Sequence, residues 1–176
     1  MIICPDCGYE NIEGVDHCAG CQQSLTSLSK PRASTALGRG LLKDSVASLS
    51  PRSPVSVEPS TPIGEVLNRM ISEHIGCVLV VKDDRLVGIF SERDALVRLN
   101  TQASALRDHP VSDFMTEFPR TLGPNDKLAF AVQRMALGGY RHVPILTDGR
   151  PTGIISIRDI LRYASEKLQT AKTGSA

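Results

Sequence analysis

The chain repeats itself after 65 residues. The stretch GIFSERDAL at residues 88–96 returns as GIISIRDIL at residues 153–161. With the same offset, residues 46–96 match residues 111–161 without a gap. This period is longer than the roughly 20–50 residues of solenoid and propeller repeats. The repeat therefore predicts a small α/β unit that is used twice.

Each unit is predicted to have the element order β-α-β-β-α. Apolar residues recur at helical spacing in the first helix of each unit, and a buried apolar strand follows it. The motif of residues 88–96 and 153–161 then starts the second helix. The predicted elements are strands at 54–57 and 119–122, helices opened by Thr61 and Asp126, buried strands at 77–81 and 142–146, and hairpin turns at 83–85 and 148–150.

Two C-x-x-C pairs lie before the repeats. Cys4 and Cys7 form the first pair, and Cys18 and Cys21 form the second after ten intervening residues. Two such pairs can converge on one tetrahedral zinc ion, and this segment resembles a short zinc ribbon. Disulfides or redox dithiols are the alternatives, but disulfides are rare in the cytoplasm.

Four thiolates would close the coordination sphere, so the expected Zn²⁺ is structural and not catalytic. The ion would replace a hydrophobic core in a segment too short to build one. We expect Gly8 and Gly20 to supply the permissive backbone of the two cysteine turns. His17 is expected at the surface, and Cys77 is expected to be a small buried apolar residue.

Charge is unevenly distributed along the chain, although the net charge is +1. Residues 1–21 carry four acidic residues and no Lys or Arg, whereas residues 22–52 have an excess of basic residues. No basic n-region with an apolar h-region opens the chain and no apolar run is long enough to span a bilayer, so a cytoplasmic protein without membrane association is expected. The predicted divisions are a zinc ribbon at 1–24, a flexible linker at 25–44, repeats at 45–105 and 106–166, and a disordered tail at 167–176.

The repeat resembles a known family. The ungapped repetition, the strand HVPI at 142–145 and the two G-I-x-S-x-R-D motifs together resemble the CBS domain. Two CBS domains in tandem form a pair often called a Bateman module. The resemblance implies an α/β (α+β) fold in which two β-α-β-β-α repeats form a pseudo-two-fold module, here preceded by the zinc ribbon.

The repeated motif permits two interpretations. Ser91 and Ser156 fall where a helix begins, and free N–H groups at a helix N-terminus favour an anion such as phosphate. Asp94 and Asp159 follow three residues later, and an ionised carboxylate can accept two hydrogen bonds from the diol of a ribose. The same S-x-x-D spacing also approximates a capping box, which would explain both residues without any ligand.

The resemblance implies that these positions contact the phosphate and ribose of an adenine nucleotide, an AMP-, ADP- or ATP-like regulatory ligand. S-adenosylmethionine or NAD would also fit the family. Two roles stay open for Arg93 and Arg158: contact with the phosphate, or pairing with a carboxylate on a solvated face. Repeat two is favoured because Arg141 and His142 add charge there. The candidate nucleotide-binding residues are Ser56, Val78, Ser91, Asp94, Thr121, Arg141, His142, Val143, Pro144, Ser156, Arg158 and Asp159.

No catalytic constellation is found, and no glycine-rich phosphate loop with its lysine is present. The sequence therefore predicts a non-enzymatic regulatory module that forms a homodimer through its CBS pair and contacts a protein partner through the zinc ribbon. A dimerising adaptor without a ligand is an alternative. A nucleic-acid partner is disfavoured, because the acidic ribbon would repel phosphate.

Overall fold

The computed structural model describes residues 1–4, 6–12, 14–25 and 35–173. The chain divides into two units, and each unit contains parts of both repeats. The first unit holds the cysteine-rich segment and most of the helical residues of repeat two, whereas the second holds most of repeat one and a hairpin of repeat two. Their bounds are Met1–Pro51, Leu122–Val143 and Ile155–Ala176 for the first, and Arg52–Thr121 and Pro144–Ile154 for the second.

Helices and strands alternate along both repeats. The strands are β1 (Ile2–Ile3), β2 (Glu10–Asn11), β3 (Ser56–Val57), β4 (Cys77–Lys82), β5 (Arg85–Ser91), β6 (Thr116–Glu117), β7 (His142–Thr147) and β8 (Arg150–Ser156). The helices are α1 (Ala36–Lys43), α2 (Ile63–Ser72), α3 (Glu92–Asp94), α4 (Leu128–Gly138) and α5 (Ile157–Thr173). None of the helices in the described part of the chain has the length and apolar character needed to cross a bilayer.

The second unit is built on a four-stranded sheet in the order β3-β4-β5-β6. Strand β3 runs parallel to β4, because α2 carries the chain back between them, and the remaining pairs are antiparallel. Alternate residues of β4 face opposite sides of the sheet. Val78 and Val80 pack in the core that includes Ile63 and Val66 of α2. Cys77 and Leu79 form the other buried face, against which Ile154 of β8 packs.

The two hairpin turns form as predicted. Asp83 and Asp84 have φ angles of 51° and 61°, and Asp148 and Gly149 have φ angles of 52° and 78°. Two successive residues with positive φ are required by a type I′ turn, whose twist matches that of the flanking strands. Aspartate tolerates a positive φ better than most residues. Three of the four central turn residues are therefore aspartates, and only Gly149 is a glycine.

Three local predictions differ from the structure. No strand forms at 119–121, because Phe118 leaves the extended region with φ of 47° and Pro119 has no N–H to donate. Pro62, and not Thr61, is the N-cap of α2, and it has no side-chain cap. Helix α4 begins at Leu128, after Asp126, whose carboxylate instead accepts a 2.8 Å hydrogen bond from the N–H of Gly123.

The segment predicted as a linker contains a helix. Residues 26–34 lie outside the described part of the chain, but Ala36–Lys43 form α1, and the hydroxyl of Thr35 accepts a hydrogen bond from the N–H of Gly38. Helix α1 packs against α4 and α5. Helix α5 in turn continues to Thr173, beyond residue 166, where the second repeat was expected to end. The packing between α1 and α5 gives both segments the tertiary contacts that helices in proteins need.

The second helices of the two repeats differ. In repeat two the motif opens α5, which is a helix of 17 residues. In repeat one α3 has three residues, and the chain then widens into a π-helical turn at Ala95–Leu99. Asn100, with φ of 46°, ends that turn. The sequence motif therefore sets the start of both helices but not their course.

Candidate functional site

The four cysteines before the repeats converge on one point. Their sulfur atoms all lie within 4.8 Å of one another. Sγ of Cys4 lies 3.6 Å from that of Cys21, and Sγ of Cys7 lies 3.5 Å from that of Cys18. A tetrahedral zinc with Zn–S bonds of about 2.3 Å requires sulfur atoms about 3.8 Å apart. All four thiols are free, so the donor set and its spacing fit a zinc ion.

The two cysteine turns have the same backbone geometry. The N–H of Gly8 donates to the carbonyl of Cys4, and the N–H of Gln22 donates to that of Cys18, both at 2.9 Å. Gly8 and Gln22 occupy equivalent positions and have φ angles of 75° and 61°. The prediction for Gly8 is confirmed, whereas Gln22, and not Gly20, has the left-handed backbone. Gly20 instead leaves room for Tyr9, whose Cβ would lie 3.0 Å from an added side chain.

Asn11 supports the second turn, and the sequence analysis missed it. Its side chain is buried, donates to the carbonyl of Tyr9 at 2.9 Å and accepts from the N–H of Ala19 at 2.9 Å. Its amide also lies 3.5 Å from Sγ of Cys18. Leu25 packs against the cysteine cluster as its apolar cover. Neither residue could be identified from a sequence motif, because both act through contacts that form only when the turn is folded.

The thiols are held in different protonation environments. Burial raises the pKa of Cys21 to about 12, and burial also raises the pKa of Cys4. Cys18 is buried too, but hydrogen bonds from the N–H of Cys21, the amide of Asn11 and the N–H of Gly20 outweigh that effect and lower its pKa to about 6. Four thiolates so close together require a cation to compensate their charge. His17 is exposed, as expected, and lies outside the cluster.

Cys77 belongs to a different environment. It is 7% exposed at the start of β4. Burial, and then the charges of Glu92 and Asp94, raise the pKa of its thiol to about 12. A neutral, buried thiol is a poor nucleophile, because the thiolate is the reactive form. The expectation that Cys77 is a small apolar core residue is confirmed.

The motif of repeat one forms a capping box. The N–H and the hydroxyl of Ser91 both donate to Oδ2 of Asp94, at 2.9 and 2.6 Å, and Ser91 caps α3. Oδ1 of Asp94 accepts from the hydroxyl of Thr116 at 3.0 Å, and Arg98 lies 3.5 Å away. Ser91 and Asp94 therefore form the capping box that one of the two interpretations of the motif predicts. Thr116 and Arg98 were missed, because the π-helical turn that brings Arg98 to Asp94 has no sequence signature.

The motif of repeat two has the same local geometry. The N–H and the hydroxyl of Ser156 donate to Oδ2 of Asp159, each at 2.8 Å. Arg162 donates to Oδ1 of Asp159 at 2.7 Å. Asp159 is 7% exposed, and it lies in the first turn of a helix of 17 residues, where the helix dipole favours a negative charge.

One backbone hydrogen bond places a further residue beside each helix start. The N–H of Ile157 donates to the carbonyl of Arg141 at 2.9 Å, and at the equivalent place Glu92 donates to Gly76 at 3.0 Å. Arg141 therefore lies next to the start of α5, whereas repeat one has no side chain at that position. Arg141 is exposed, and His142 is partly buried.

The remaining predicted nucleotide-binding residues differ in exposure. Val78 is fully buried and packs with the core under α2, and Val143 is also fully buried, so neither presents its side chain to a ligand. Pro144 is buried, Thr121 is partly buried, and Ser56, Arg93 and Arg158 are exposed. Arg141, His142, Val143, Ser156, Arg158 and Asp159 belong to the first unit, whereas Ser56, Val78, Ser91, Asp94, Thr121 and Pro144 belong to the second.

The glycine of the first motif serves packing. A Cβ at Gly88 would overlap the side chain of Met115, which crosses strand β5 at that point. Because glycine has no Cβ, another part of the chain can approach the strand closely at this position. The structure places Met115 there.

Comparison with known proteins identifies the repeat. The family model of the CBS domain matches residues 46–100 and 111–166, which is more than half of the chain. The mitochondrial CBS domain-containing protein CBSX3 of Arabidopsis thaliana is 32% identical over 103 residues. That match covers 56% of this chain and 50% of the relative, so the chain spans about half the length of that protein.

Solved structures share the fold. The CBS-domain protein ATU1752 of Agrobacterium tumefaciens is 34% identical, with a TM-score of 0.62, and the match covers 67% of this chain and 97% of that one. The CBS domain protein PAE2072 of Pyrobaculum aerophilum, solved in complex with AMP, is 28% identical, with a TM-score of 0.60. That match covers 69% of this chain and 98% of the other.

Proposed function

The chain belongs to the CBS domain family, and on that premise we propose that it is a regulatory module whose CBS pair binds an adenine nucleotide. The nucleotide is proposed to be of the AMP class, bound principally at the start of α5. The protein's response to the ligand is proposed to be a change of shape or association, and not a chemical reaction. The zinc ribbon is proposed to contact a protein partner.

The observation that carries this proposal is the position of Arg141. The two helix starts share their serine, their carboxylate and the backbone hydrogen bond before them, but Arg141 stands in repeat two where Gly76 stands in repeat one. A guanidinium beside a helix N-terminus supplies charged hydrogen bonds to phosphate. We therefore assign the phosphate group to Arg141 and the first N–H groups of α5.

Asp159 is proposed to hold the ribose. Its Oδ2 accepts two hydrogen bonds from Ser156, so a ribose diol would exchange with the hydroxyl of Ser156 instead of meeting an unpaired carboxylate. His142 and Arg158 are proposed to flank the phosphate. The PAE2072 protein supports the class of ligand, because it resembles most of the CBS region of this chain and was solved with AMP.

The ribbon is proposed to hold one structural zinc ion on Cys4, Cys7, Cys18 and Cys21. The ion would supply the cross-link that a segment without a core of its own needs to fold. Four sulfur ligands leave no open position for a substrate, so a catalytic role for the ion is not proposed. We propose a cytoplasmic location, because a cytoplasm keeps such thiols reduced. We also propose a homodimer formed through the CBS pair.

A thermal-shift panel on the zinc-loaded full chain tests the nucleotide site. The panel contains AMP, ADP, ATP, S-adenosylmethionine and NAD, with GMP as the base control. A ligand that binds the native state raises the midpoint of unfolding when its concentration is well above its dissociation constant. AMP is expected to raise the midpoint, and GMP is expected to have little effect.

The variant Arg141→Gly tests whether the phosphate is bound at the start of α5 or at the start of α3. Arg141→Gly gives repeat two the residue of repeat one and leaves the carboxylate–serine bonds intact. It is expected to weaken AMP binding about 10-fold to 100-fold by titration calorimetry, because a charged hydrogen bond contributes about 1.5–3 kcal/mol. The control variant Arg150→Gly removes an exposed arginine of the β7–β8 turn and should leave binding unchanged.

Two results would overturn the proposal. If no nucleotide in the panel shifts the midpoint, the CBS pair is a dimerising adaptor and not a sensor. If AMP binds equally well to wild type and Arg141→Gly but not to Asp94→Asn, the site lies at the start of α3 in repeat one.

A further inference from the structure

The outer face of the β1–β2 sheet is apolar and uncovered in the described part of the chain. In this antiparallel pair Ile2 lies opposite Asn11, and Ile3 lies opposite Glu10. Residues opposite each other point to the same side, and residues two apart share a side. Ile2 and Asn11 therefore face the cysteine cluster, whereas Ile3 and Glu10 face outward, followed along the same alternation by Met1 and Ile12.

Exposure confirms that division of the two faces. Met1, Ile3 and Ile12 are 85%, 58% and 75% exposed. By contrast Asn11 is 4% exposed, and Ile2 packs against the buried cysteines. Isolated exposed apolar residues are common, but three large ones on a sheet of two short strands form a contiguous patch of the kind that marks an interaction site. We call Met1, Ile3, Glu10 and Ile12 the ribbon face.

Charge defines what can cover the ribbon face. Glu10 stands among its apolar residues and is exposed, and Asp16 is exposed in the same segment. Residues 1–21 contain no Lys or Arg. Zinc bound by four thiolates adds a net charge of about −2 directly beneath the sheet. A second ribbon would bring like charges together, and an anionic lipid surface or nucleic acid would be repelled.

We propose that the ribbon face docks an apolar segment of a partner protein that carries Lys or Arg among its apolar residues. The partner's apolar side chains would cover Ile3 and Ile12, and its cation would pair with Glu10. This inference rests on the proposed role of the ribbon in partner contact and specifies the surface and the chemistry of the partner. It does not depend on nucleotide binding by the CBS pair.

Amide chemical-shift mapping with model peptides tests the proposal. The ¹⁵N-labelled, zinc-loaded full chain is titrated with three capped pentapeptides: alternating leucine and arginine, alternating leucine and glutamate, and alternating serine and arginine. The leucine–arginine peptide is expected to shift the amides of residues 2–3 and 10–12 at peptide concentrations of about 1 mM or below. The other two peptides are expected to produce much smaller shifts, because each lacks one of the two required features.

Variants of the ribbon face give the matched controls. Ile3→Ser with Ile12→Ser should abolish the shifts, whereas Ile71→Ser, which removes an isoleucine that is 72% exposed on α2, should leave them unchanged. Glu10→Arg should weaken binding of the leucine–arginine peptide about 5-fold and increase that of the leucine–glutamate peptide. A retained zinc content in each variant shows that the ribbon is still folded.

Several outcomes would overturn the inference. Equal shifts from the serine–arginine peptide would mean that charge alone acts, and equal shifts from the leucine–glutamate peptide would mean that charge plays no part. Co-sedimentation with vesicles of phosphatidylcholine would assign the face to a membrane, and loss of dimerisation in the Ile3→Ser, Ile12→Ser variant would assign it to a second copy. Because the nucleotide panel is measured separately, its failure leaves this test unaffected.

Discussion

The hydroxyl of Tyr163 donates a 2.6 Å hydrogen bond to the carboxylate of Asp44. Asp44 ends α1, and Tyr163 lies on the buried side of α5. Lys167, one turn further along α5, lies 3.2 Å from the same carboxylate oxygen. Gly40 of α1 packs directly on Tyr163. These contacts fasten the helix that precedes the first repeat to the last helix of the second.

Removing the hydroxyl of Tyr163 should destabilise the protein. Tyr163→Phe leaves the ring in place but deprives Asp44 of its donor. We expect a loss of about 1–2 kcal/mol in the free energy of unfolding, measured by urea denaturation, because Lys167 still pairs with Asp44. Tyr140→Phe is the control, since Tyr140 is 40% exposed, and it should change stability by less than about 0.5 kcal/mol. Equal effects of both changes would contradict the assigned role.

Gly40→Ala should be destabilising in wild type but not beside Tyr163→Phe. In a helix, alanine is favoured over glycine by about 1 kcal/mol. In wild type an added Cβ overlaps the hydroxyl of Tyr163, so we expect a net loss of about 1–3 kcal/mol. Without that hydroxyl the nearest atoms are Cζ of the ring at 3.3 Å and Cε of Lys167 at 3.4 Å, which is tolerable. A double-mutant cycle by urea denaturation measures this coupling, and simple additivity would refute it.

The Asp44–Tyr163 pair should make stability depend on pH at both ends of the range. The hydrogen bond from Tyr163, and then Lys167, hold the pKa of Asp44 below its usual 3.8, so its contribution is present above that pH and lost as pH falls. Burial, and then Asp44, raise the pKa of Tyr163 above its usual 10.0, so its contribution is present below pH 10 and lost as pH rises.

Urea midpoints of wild type and Asp44→Asn, compared from about pH 3 to about pH 11, measure this contribution. The difference between the two proteins should be largest near neutrality and should shrink at both extremes. Taking the difference removes the effect of the proposed zinc site, whose loss of metal in acid both proteins would share. A difference that is constant with pH would show that the pair does not titrate as described.

The ribbon should bind one zinc ion per chain, and the fifth cysteine should not contribute. Cys7→Ser is expected to lose the metal, whereas Cys77→Ala should retain one ion per chain. Asn11→Ala, which removes the amide beside Cys18, should weaken metal binding about 10-fold to 100-fold. Cobalt substitution, followed by its visible thiolate absorption, and competition with a chelator measure these affinities. Metal retained in Cys7→Ser would exclude a four-cysteine site.

The proposed homodimer should depend on equivalent leucines of the two repeats. Leu96 and Leu161 occupy the same position of the motif and are 77% and 62% exposed. Leu161→Glu and Leu96→Glu are expected to halve the molar mass measured by light scattering, because a buried unpaired charge is costly. Ile12→Glu, in the ribbon, is the control and should leave the mass unchanged. A wild-type monomer at micromolar concentration would remove the basis for this prediction.

Much of the fold could be predicted because its signals are local. Short stretches of neighbouring residues determine the helical and strand patterns and the two aspartate-containing turns. The repeat shows each of these patterns twice. The C-x-x-C spacing likewise predicted a cluster that the structure confirms. Family membership followed from the same motifs.

The features that could not be predicted depend on contacts between residues that are distant in sequence. Asp44 and Tyr163 are 119 residues apart, so nothing local identifies α1 as a helix with a partner. Thr116 reaches Asp94 only because β6 pairs with β5. Of the five residues in the π-helical turn at Ala95–Leu99, only Leu96 is identical in the regular helix at the equivalent place in repeat two, so the shared motif does not extend over the turn.

The hydrogen bonds between serine and aspartate at the two helix starts also affect how tightly the proposed site would bind its ligand. Each carboxylate accepts a hydrogen bond from the hydroxyl of its own serine, and in the proposed nucleotide site a hydroxyl of the ligand would take the place of that donor. Binding is then an exchange of one hydrogen bond for another, with a small net gain. The proposed site would therefore release its ligand readily, and its occupancy would follow the ligand's concentration instead of remaining saturated.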